Sequence, residues 1–270
     1  MPDSSFAVIL LVMKLDTDTA KKHFTYMFEE AMTGDMIQEA RAWRKKPQTP
    51  QYPVKQVRIC AISDLHAYQD RVQVPKCDLL IVAGDITDRG EYEQTTNFNI
   101  WASKLQESGL VGEVVCIAGN HDLTAQRDPK TWRTLLKDVT YVEDEEIERF
   151  GLRIYGSPWT PAFFKQHWVF NAERGAEIQE HWDKIPEGLD VLITHGPAYG
   201  LCDLTPRGER VGCLNLRDTL LAKKPRVHIC GHIHGGYGMG MLGNTLCLNA
   251  AICTETYKPT NQPLVIDLGI

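Results

Sequence analysis

Residues 57–66 read VRICAISDLH, an apolar run that ends abruptly in a polar cluster. A short run rich in Val and Ile favours a buried strand. Five runs along the chain end in this way. Their polar clusters are SDLH (63–66), GDITD (84–88), GNHD (119–122), THGP (194–197) and GHIH (231–234). In open α/β sheets, ligands bind beyond the carboxyl ends of the strands, so the five clusters predict one shared site.

The pattern between these clusters favours an α/β fold. The apolar runs are VRICAI, DLLIVAG, GEVVCIAG, LRIYG, DVLITHG, RVHICG and TLCLNAA. Stretches with helical spacing separate them, and alternation of strand and helix is typical of parallel strands that are buried on both faces. The predicted helices cover residues 92–107, 128–136, 172–182 and 215–223.

The first 50 residues differ from the remainder in their spacing of apolar residues and in their proline content. Apolar residues recur at helical spacing within 15–44, and three prolines in 45–55 indicate a linker. We therefore expect a helical extension with a Pro-rich linker over 1–50 and one domain over 51–270. The apolar segment 6–13 is far shorter than the ~20 residues that span a bilayer, so no membrane association is expected.

Charge and cysteine content limit the possible binding partners and the cellular location of the protein. The 270 residues carry 29 Lys plus Arg against 35 Asp plus Glu, a net charge of −6. Affinity for duplex nucleic acid usually depends on a basic surplus, so duplex binding is disfavoured, whereas a small phosphate-bearing substrate is not. The eight cysteines form no CxxC pair and no dense framework, which favours a reducing compartment and a cytoplasmic location.

The residue types in the five clusters indicate a metal site. Two divalent ions about 3.5–4 Å apart need a bridging carboxylate, terminal ligands on each side and open positions for water and substrate. Mixed imidazole and carboxylate ligands suit Mn, Fe or Zn more than Ca. The candidate ligands are Asp64, His66, Asp85, Asn120, His195, His232 and His234.

The ordered set D-x-H, G-D, G-N-H-D, H-G and G-H-x-H resembles the calcineurin-like metallophosphoesterases. The segments RIYGSPWTPAFF, GLDVLITHGPAYG, RVGCLNL and CGHIHGGYGMG are similar, more narrowly, to metallophosphoesterase-domain-containing proteins, which are relatives of the class III cyclic-nucleotide phosphodiesterases. The resemblance runs from about residue 57 to the carboxyl terminus and leaves 1–50 unexplained. It implies a four-layer αββα sandwich, in which two mixed sheets are flanked by helices, and makes 51–270 the catalytic domain.

The resemblance also implies a role for each ligand. Asp85 would bridge the two ions, and a hydroxide held between them would attack phosphorus. The first ion would be held by Asp64, His66, Asp85 and His234, and the second by Asp85, Asn120, His195 and His232. His121 would be the general acid or would orient the phosphate, and Asp122 would orient its imidazole.

The expected function is dinuclear-metal-dependent hydrolysis of a phosphoester. A phosphodiesterase that acts on cyclic nucleotides or similar small diesters, with two Mn²⁺ ions, fits the resemblance. Arg89 in GDITDRG (84–90) is similar to an arginine that grips phosphate in the protein Ser/Thr phosphatases, so a phosphomonoesterase or protein phosphatase is the alternative. A third possibility is a non-catalytic binding module with the same fold.

For each of three further features, the sequence leaves two interpretations open. Asp88 is either a helix cap or a support for the metal ligands, and Asn249 either supports the ligands or forms a turn. An aromatic stretch either packs in the core or stacks against a nucleobase. Its members are Tyr155, Trp159, Phe163, Phe164, Trp168 and Phe170.

Overall fold

The computed structural model describes residues 55–163 and 168–270. The helix predicted over 15–44, and all but the last residue of the linker predicted over 45–55, lie outside the described residues. Two sheets and five helices are the elements that position the candidate site.

The first sheet is formed by five strands. They are β1 (Gln56–Ile62), β2 (Cys77–Ala83), β3 (Val111–Ile117), β4 (Thr140–Tyr141) and β13 (Leu264–Gly269). Their order is β13-β1-β2-β3-β4. Four of them are parallel, and β13 pairs with β1 in the antiparallel direction. The carboxyl ends of β1, β2 and β3 therefore lie at one edge, where the first three polar clusters follow them.

The second sheet is formed by six strands. They are β5 (Glu145–Arg149), β6 (Leu152–Ser157), β9 (Val191–Thr194), β10 (Val227–Cys230), β11 (Gly238–Leu242) and β12 (Thr245–Asn249). Their order is β11-β12-β10-β9-β6-β5. The four inner strands are parallel, whereas the outer strands β11 and β5 are antiparallel to their neighbours. A two-stranded ribbon of β7 (Thr160–Pro161) and β8 (Asn171–Ala172) lies apart from both sheets.

The five helices cover the outer faces of the two sheets. They are α1 (Tyr92–Glu107), α2 (Leu123–Arg127), α3 (Pro129–Leu135), α4 (Ala176–Asp183) and α5 (Leu214–Lys223). Asp128 begins α3, because its side chain accepts a hydrogen bond from the Thr131 amide. The helix predicted over 172–182 begins four residues later than predicted, at Ala176. Ala172 is in β8, and Gly175, at φ +97°, turns the chain into α4.

Alternation along the strands divides the core into three layers. In β1, Ile59 and Ala61 face the second sheet, whereas Cys60 and Ile62 pack beneath the helices of the first sheet together with Phe98. A third cluster packs α4 and α5 on the outer face of the second sheet, with Trp182, Leu192 and Leu216 among its members. The predicted αββα sandwich of two mixed sheets is confirmed.

The two sheets meet at the edge that carries the polar clusters. Ser63, directly after β1, pairs with Ala251, which lies just beyond β12. The Gly231 amide donates to the His195 carbonyl and so joins the loops after β9 and β10. All five clusters are therefore brought to one place. Among the described helices, none has the length and apolarity needed to cross a bilayer.

Candidate metal centre

Four of the candidate ligands in the loops at this edge adopt a left-handed backbone conformation, which residues other than glycine rarely adopt. Asp64, His66, Asp85 and His232 all have φ between +42° and +66°. A residue other than glycine in this region is strained by about 1–3 kcal/mol, and such strain concentrates at functional sites. Gly84 allows Asp85 to turn inward, because a Cβ atom at Gly84 would lie only 2.6 Å from the Ala118 carbonyl oxygen.

One half of the centre is formed by Asp64, His66 and His234. Their potential ligand atoms lie within 4.8 Å of one another, and all three residues are largely buried. His234 Nε2 lies 3.3 Å from Asp64 Oδ1 and 3.4 Å from His66 Nε2. The family resemblance implies these three residues as terminal ligands of the first ion.

The other half is formed by Asp85, His195 and His232, which also lie within 4.8 Å of one another. Asn120 Oδ1 lies 3.0 Å from His195 Nε2 and adds a neutral oxygen. Asp85 Oδ2 lies 3.3 Å from His195 Nε2 and 3.9 Å from His66 Nε2. The Asp85 carboxylate thus stands between the two halves.

Backbone carbonyls fix the orientation of two of the imidazoles. His195 Nδ1 donates to the Ala83 carbonyl at 2.8 Å, and His234 Nδ1 donates to the Thr254 carbonyl at 2.9 Å. In a neutral ring the other nitrogen, Nε2, then presents a lone pair to the centre. Lone pairs of Nε2 and of carboxylate and amide oxygens therefore face one another. Divalent cations fit such a donor set, because each of these atoms is an established metal ligand.

The charges of the buried groups perturb one another strongly. Burial alone would lower the pKa of His195, but the Asp85 carboxylate raises it to about 9. Burial likewise opposes the effect of Asp64 on His234, whose pKa is also raised to about 9. Burial and the His195 charge together lower the pKa of His232 to about 3. A group of perturbed pKa values at a strand edge is typical of a functional site.

His121 lies beside the centre, with its ring centroid 4.6 Å from that of His66. Its backbone amide donates to Asp85 Oδ1 at 2.8 Å. Its Nδ1 donates to the Asp88 carbonyl at 2.6 Å, which leaves Nε2 as the ring nitrogen that can exchange a proton.

The prediction that Asp122 orients the His121 imidazole is wrong, because the Asp88 carbonyl makes that contact. The buried Asp122 carboxylate instead accepts hydrogen bonds from the amides of Ile86, Thr87 and Gly119 and from the Thr87 hydroxyl. Burial and the Asp85 charge raise its pKa to about 6. Asp122 therefore ties the loop after β2 to the loop after β3.

Comparisons with known proteins agree with this geometry. Residues 57–236 match the family model described as calcineurin-like phosphoesterase, which spans more than half of the chain. The chain belongs to the calcineurin-like phosphoesterase family. The resemblance proposed from the five motifs is confirmed.

Two relatives and one solved structure illustrate the extent of the similarity. Human metallophosphoesterase domain-containing protein 1 is 39% identical over 247 residues, which cover 82% of this chain and 73% of that protein. UPF0046 protein T07D4.2 of Caenorhabditis elegans is 33% identical, with 91% and 69% covered. The crystal structure of TT1561 from Thermus thermophilus shares the fold, with a TM-score of 0.51 and 12% identity over 72% of this chain and 89% of that one.

In this calcineurin-like phosphoesterase, Asn249 supports the loop that carries His232 and His234. Its buried side-chain amide donates to the carbonyls of Cys202, Gly231 and Ile233, and its oxygen accepts from the Ala251 amide. Of the two roles considered from the sequence, support of the ligand loop is the one observed. Asp88 does not cap α1, because Glu91 is the residue that precedes that helix. The backbone carbonyl of Asp88 instead accepts a hydrogen bond from the His121 ring.

The aromatic stretch divides between the core and the rim of the site. Tyr155 and Phe170 are buried, and Trp159 packs against the core and stacks on the ring of His181. Phe163 is 42% exposed with its ring 4.9 Å from that of His232, and the Trp168 ring lies 4.1 Å from that of His121. Phe164 lies outside the described residues.

Sequence reasoning missed one aromatic residue of the rim, Tyr257. Its ring lies 4.8 Å from that of His66 and 5.2 Å from that of His234, and it is 45% exposed. It belongs to the segment TETYKPTN (254–261), which follows none of the five polar clusters. No pattern in the sequence distinguishes this tyrosine from an ordinary loop residue.

Proposed function

We propose that the chain is a phosphoester hydrolase that depends on two divalent metal ions, and that its substrates are cyclic nucleotides or similar small phosphodiesters. The observation that carries the proposal is the position of Asp85 between the two ligand groups. The first ion would be held by Asp64, His66, Asp85 and His234, and the second by Asp85, Asn120, His195 and His232. When bound, such a pair activates a water molecule as the nucleophile and stabilises charge on the phosphoryl oxygens.

The residues around the ions have separate tasks in this proposal. His121 holds a proton at Nε2 for the oxygen of the leaving group, and the Asp88 carbonyl fixes the ring for that transfer. Asn249 keeps His232 and His234 in place through the carbonyls of their loop. Asp122, which contacts backbone amides, holds the loops of Asp85 and His121 together.

Manganese is the proposed metal, with iron or zinc as substitutes, because nitrogen and oxygen ligands are mixed. A cytoplasmic location is proposed as well. It is supported by the eight cysteines, all buried within the described residues and all present as free thiols. The net charge of −6 supports a small phosphoester as partner rather than duplex nucleic acid.

A phosphomonoesterase is the second candidate, and one contact favours it. The Arg89 guanidinium lies 5.7 Å from the ring of Trp168, which in turn packs on His121. A positive charge near His121, on the side of the leaving group, would stabilise the additional negative charge of a monoester. A non-catalytic binding module is disfavoured, since every predicted ligand side chain is present at the centre.

A substrate panel tests the proposal. The chelator-treated full-length protein is loaded with Mn²⁺ and offered 2′,3′-cyclic, 3′,5′-cyclic, linear diester and monoester compounds. The expected result is turnover of a diester that stops when the metal is removed and returns when it is restored. Turnover of monoesters alone would favour the second candidate, and a protein without turnover and without bound metal would favour the binding module.

A further inference from the structure

A cavity opens beside the candidate metal centre on the side of His66. Its volume is about 350 Å³, and it is lined by His66, Ala67, Tyr68, Asp88, Gln94 and Tyr257. This is roughly ten times the ~30 Å³ that one water molecule occupies in the liquid, and it lies within the range of small-molecule pockets. A group bound there would be in direct continuity with a phosphate at the centre.

Tyr257 forms one wall of this cavity and is held there at a cost. Its φ is +54°, a strained value for an aromatic residue. Its amide donates to the Thr254 carbonyl, and that carbonyl also accepts from His234 Nδ1. The turn therefore fixes Tyr257 relative to the metal ligands. The side chain is 45% exposed, so its ring is accessible to a ligand in the cavity.

Two of the lining residues, Asp88 and Gln94, are polar, and the Asp88 carbonyl accepts a hydrogen bond from His121. Gln94 Oε1 accepts from the Asp88 amide at 2.8 Å, which leaves the Gln94 amino group as a donor. The Asp88 carboxylate is exposed and has no hydrogen-bond partner among the described residues. An acceptor and a donor thus stand together next to an aromatic wall. Ring nitrogens and exocyclic amino groups of a nucleobase present the matching pair.

We propose that this cavity binds the base of a nucleoside ester, with Tyr257 stacking on the base and Asp88 and Gln94 bonding to its edge. The inference rests on the proposed function, because it requires that the phosphate of the same ester lie at the metal centre. Since His121 is fixed by the Asp88 carbonyl, the base lies on the side of the leaving oxygen. The substrate class is therefore nucleotides rather than small aliphatic phosphodiesters.

Two substrates with the same reacting ring separate recognition of the base from hydrolysis. The full-length protein loaded with Mn²⁺ is given adenosine 2′,3′-cyclic phosphate and ribose 2′,3′-cyclic phosphate, and the ratio of their kcat/KM values is measured. The wild type is expected to prefer the nucleotide. Tyr257→Ala is expected to reduce the ratio about 5- to 150-fold, the range of a lost stacking contact of about 1–3 kcal/mol per base. Tyr257→Phe keeps the ring and should keep the ratio.

Phe150 provides a matched control. It has the same φ of +54° and a similar exposure of 41%, and it lies in the turn between β5 and β6, at the edge of the sheet opposite the site. Phe150→Ala should therefore leave the ratio at the wild-type value. Melting temperatures of the three variants show whether each is folded.

Several results would overturn the inference and leave the proposed function intact. Equal kcat/KM values for both substrates in the wild type, or an unchanged ratio in Tyr257→Ala, would show that the cavity does not read the base. If neither compound is hydrolysed, the substrate panel decides the proposed function, and calorimetry with adenosine 5′-monophosphate and ribose 5-phosphate decides the inference. Tighter binding of the nucleotide, lost in Tyr257→Ala, supports it, and equal binding refutes it.

Discussion

Asp85 Oδ2 and His195 Nε2 face each other at 3.3 Å, while the other ring nitrogen of His195 donates to the Ala83 carbonyl at 2.8 Å. A neutral His195 therefore directs a lone pair at a carboxylate. Only a proton or a cation between the two atoms makes this contact favourable. The relationship places a positive centre on one side of Asp85, and His66, at 3.9 Å from the same oxygen, marks the other side.

Asp85→Asn should weaken the binding of both metal ions together, because one carboxylate is proposed to serve both positions. We expect the affinity for each ion to fall by more than the roughly 10- to 100-fold that follows loss of a supporting group. Elemental analysis of the variant after gel filtration measures this. Asp218→Asn, at an exposed side chain of α5, is the matched control. Loss of one ion with full retention of the other would exclude a bridging role.

His121→Ala should reduce turnover about 10²- to 10⁴-fold, the contribution usual for a general acid, while metal content stays at the wild-type level. The separation is expected because His121 Nε2 is proposed to act on the leaving oxygen rather than on an ion. Parallel measurement of kcat and metal content decides it. A metal content that falls as steeply as the rate would make His121 a ligand.

Asn249→Asp should loosen the loop of His232 and His234. The aspartate keeps the size of the side chain and the acceptor for the Ala251 amide, but it cannot donate to the three carbonyls. The carbonyls of Gly231 and Ile233 keep backbone donors, the amides of Ile233 and Gly236, so the full cost of about 1–3 kcal/mol for an unsatisfied buried carbonyl applies to Cys202. A lower melting temperature and weaker metal binding are expected, and wild-type values of both would show that the three donated bonds are dispensable.

His228 should make the protein sensitive to acid independently of the metal ligands. Burial lowers its pKa to about 3, and its Nε2 donates to the Thr194 hydroxyl at 2.7 Å. Because the pKa is near 6.5 in the unfolded chain, the stabilisation is complete above pH 6.5 and is lost as the pH falls toward 3. The free energy of unfolding should therefore fall by roughly 1 kcal/mol per pH unit more in the wild type than in His228→Gln between about pH 6 and pH 4.

Urea titrations of both proteins at a series of pH values provide this comparison. The remaining ionisable groups are common to the two chains, so the difference between the slopes isolates His228. Equal slopes would mean that His228 is charged in the folded protein or is exposed to solvent.

The parts of the structure that the sequence predicted are those encoded locally. Each polar cluster directly follows an apolar run, so the convergence of Asp64, Asp85 and Asn120, which follow three parallel strands of the first sheet, could be predicted from strand polarity. His195 follows a strand of the second sheet, and its position beside them depends on how the two sheets pack. The residues 92–107 form a helix with the predicted bounds, since helical spacing is continuous there. The pairing into two mixed sheets came from the resemblance, not from periodicity.

Contacts between distant loops could not be predicted in the same way. Asp122 follows His121 in the chain, yet its carboxylate turns to backbone amides of the loop after β2, and a backbone carbonyl holds the imidazole. Backbone groups are the same at every residue, so the sequence carries no sign of such a bond. Strand β13 was not among the apolar runs used for prediction, although LVIDLG alternates as an edge strand does. Tyr257 depends on a strained turn, which its neighbours do not indicate.

Crystals of the full-length protein grown with Mn²⁺, with anomalous diffraction recorded at the manganese edge, test the two-ion centre most directly. Two peaks are expected about 3.5–4 Å apart, with the Asp85 carboxylate in contact with both. Asp64, His66 and His234 should surround one peak, and Asn120, His195 and His232 the other. A single peak, or no peak among these residues at saturating Mn²⁺, would contradict the assignment of a dinuclear phosphoesterase.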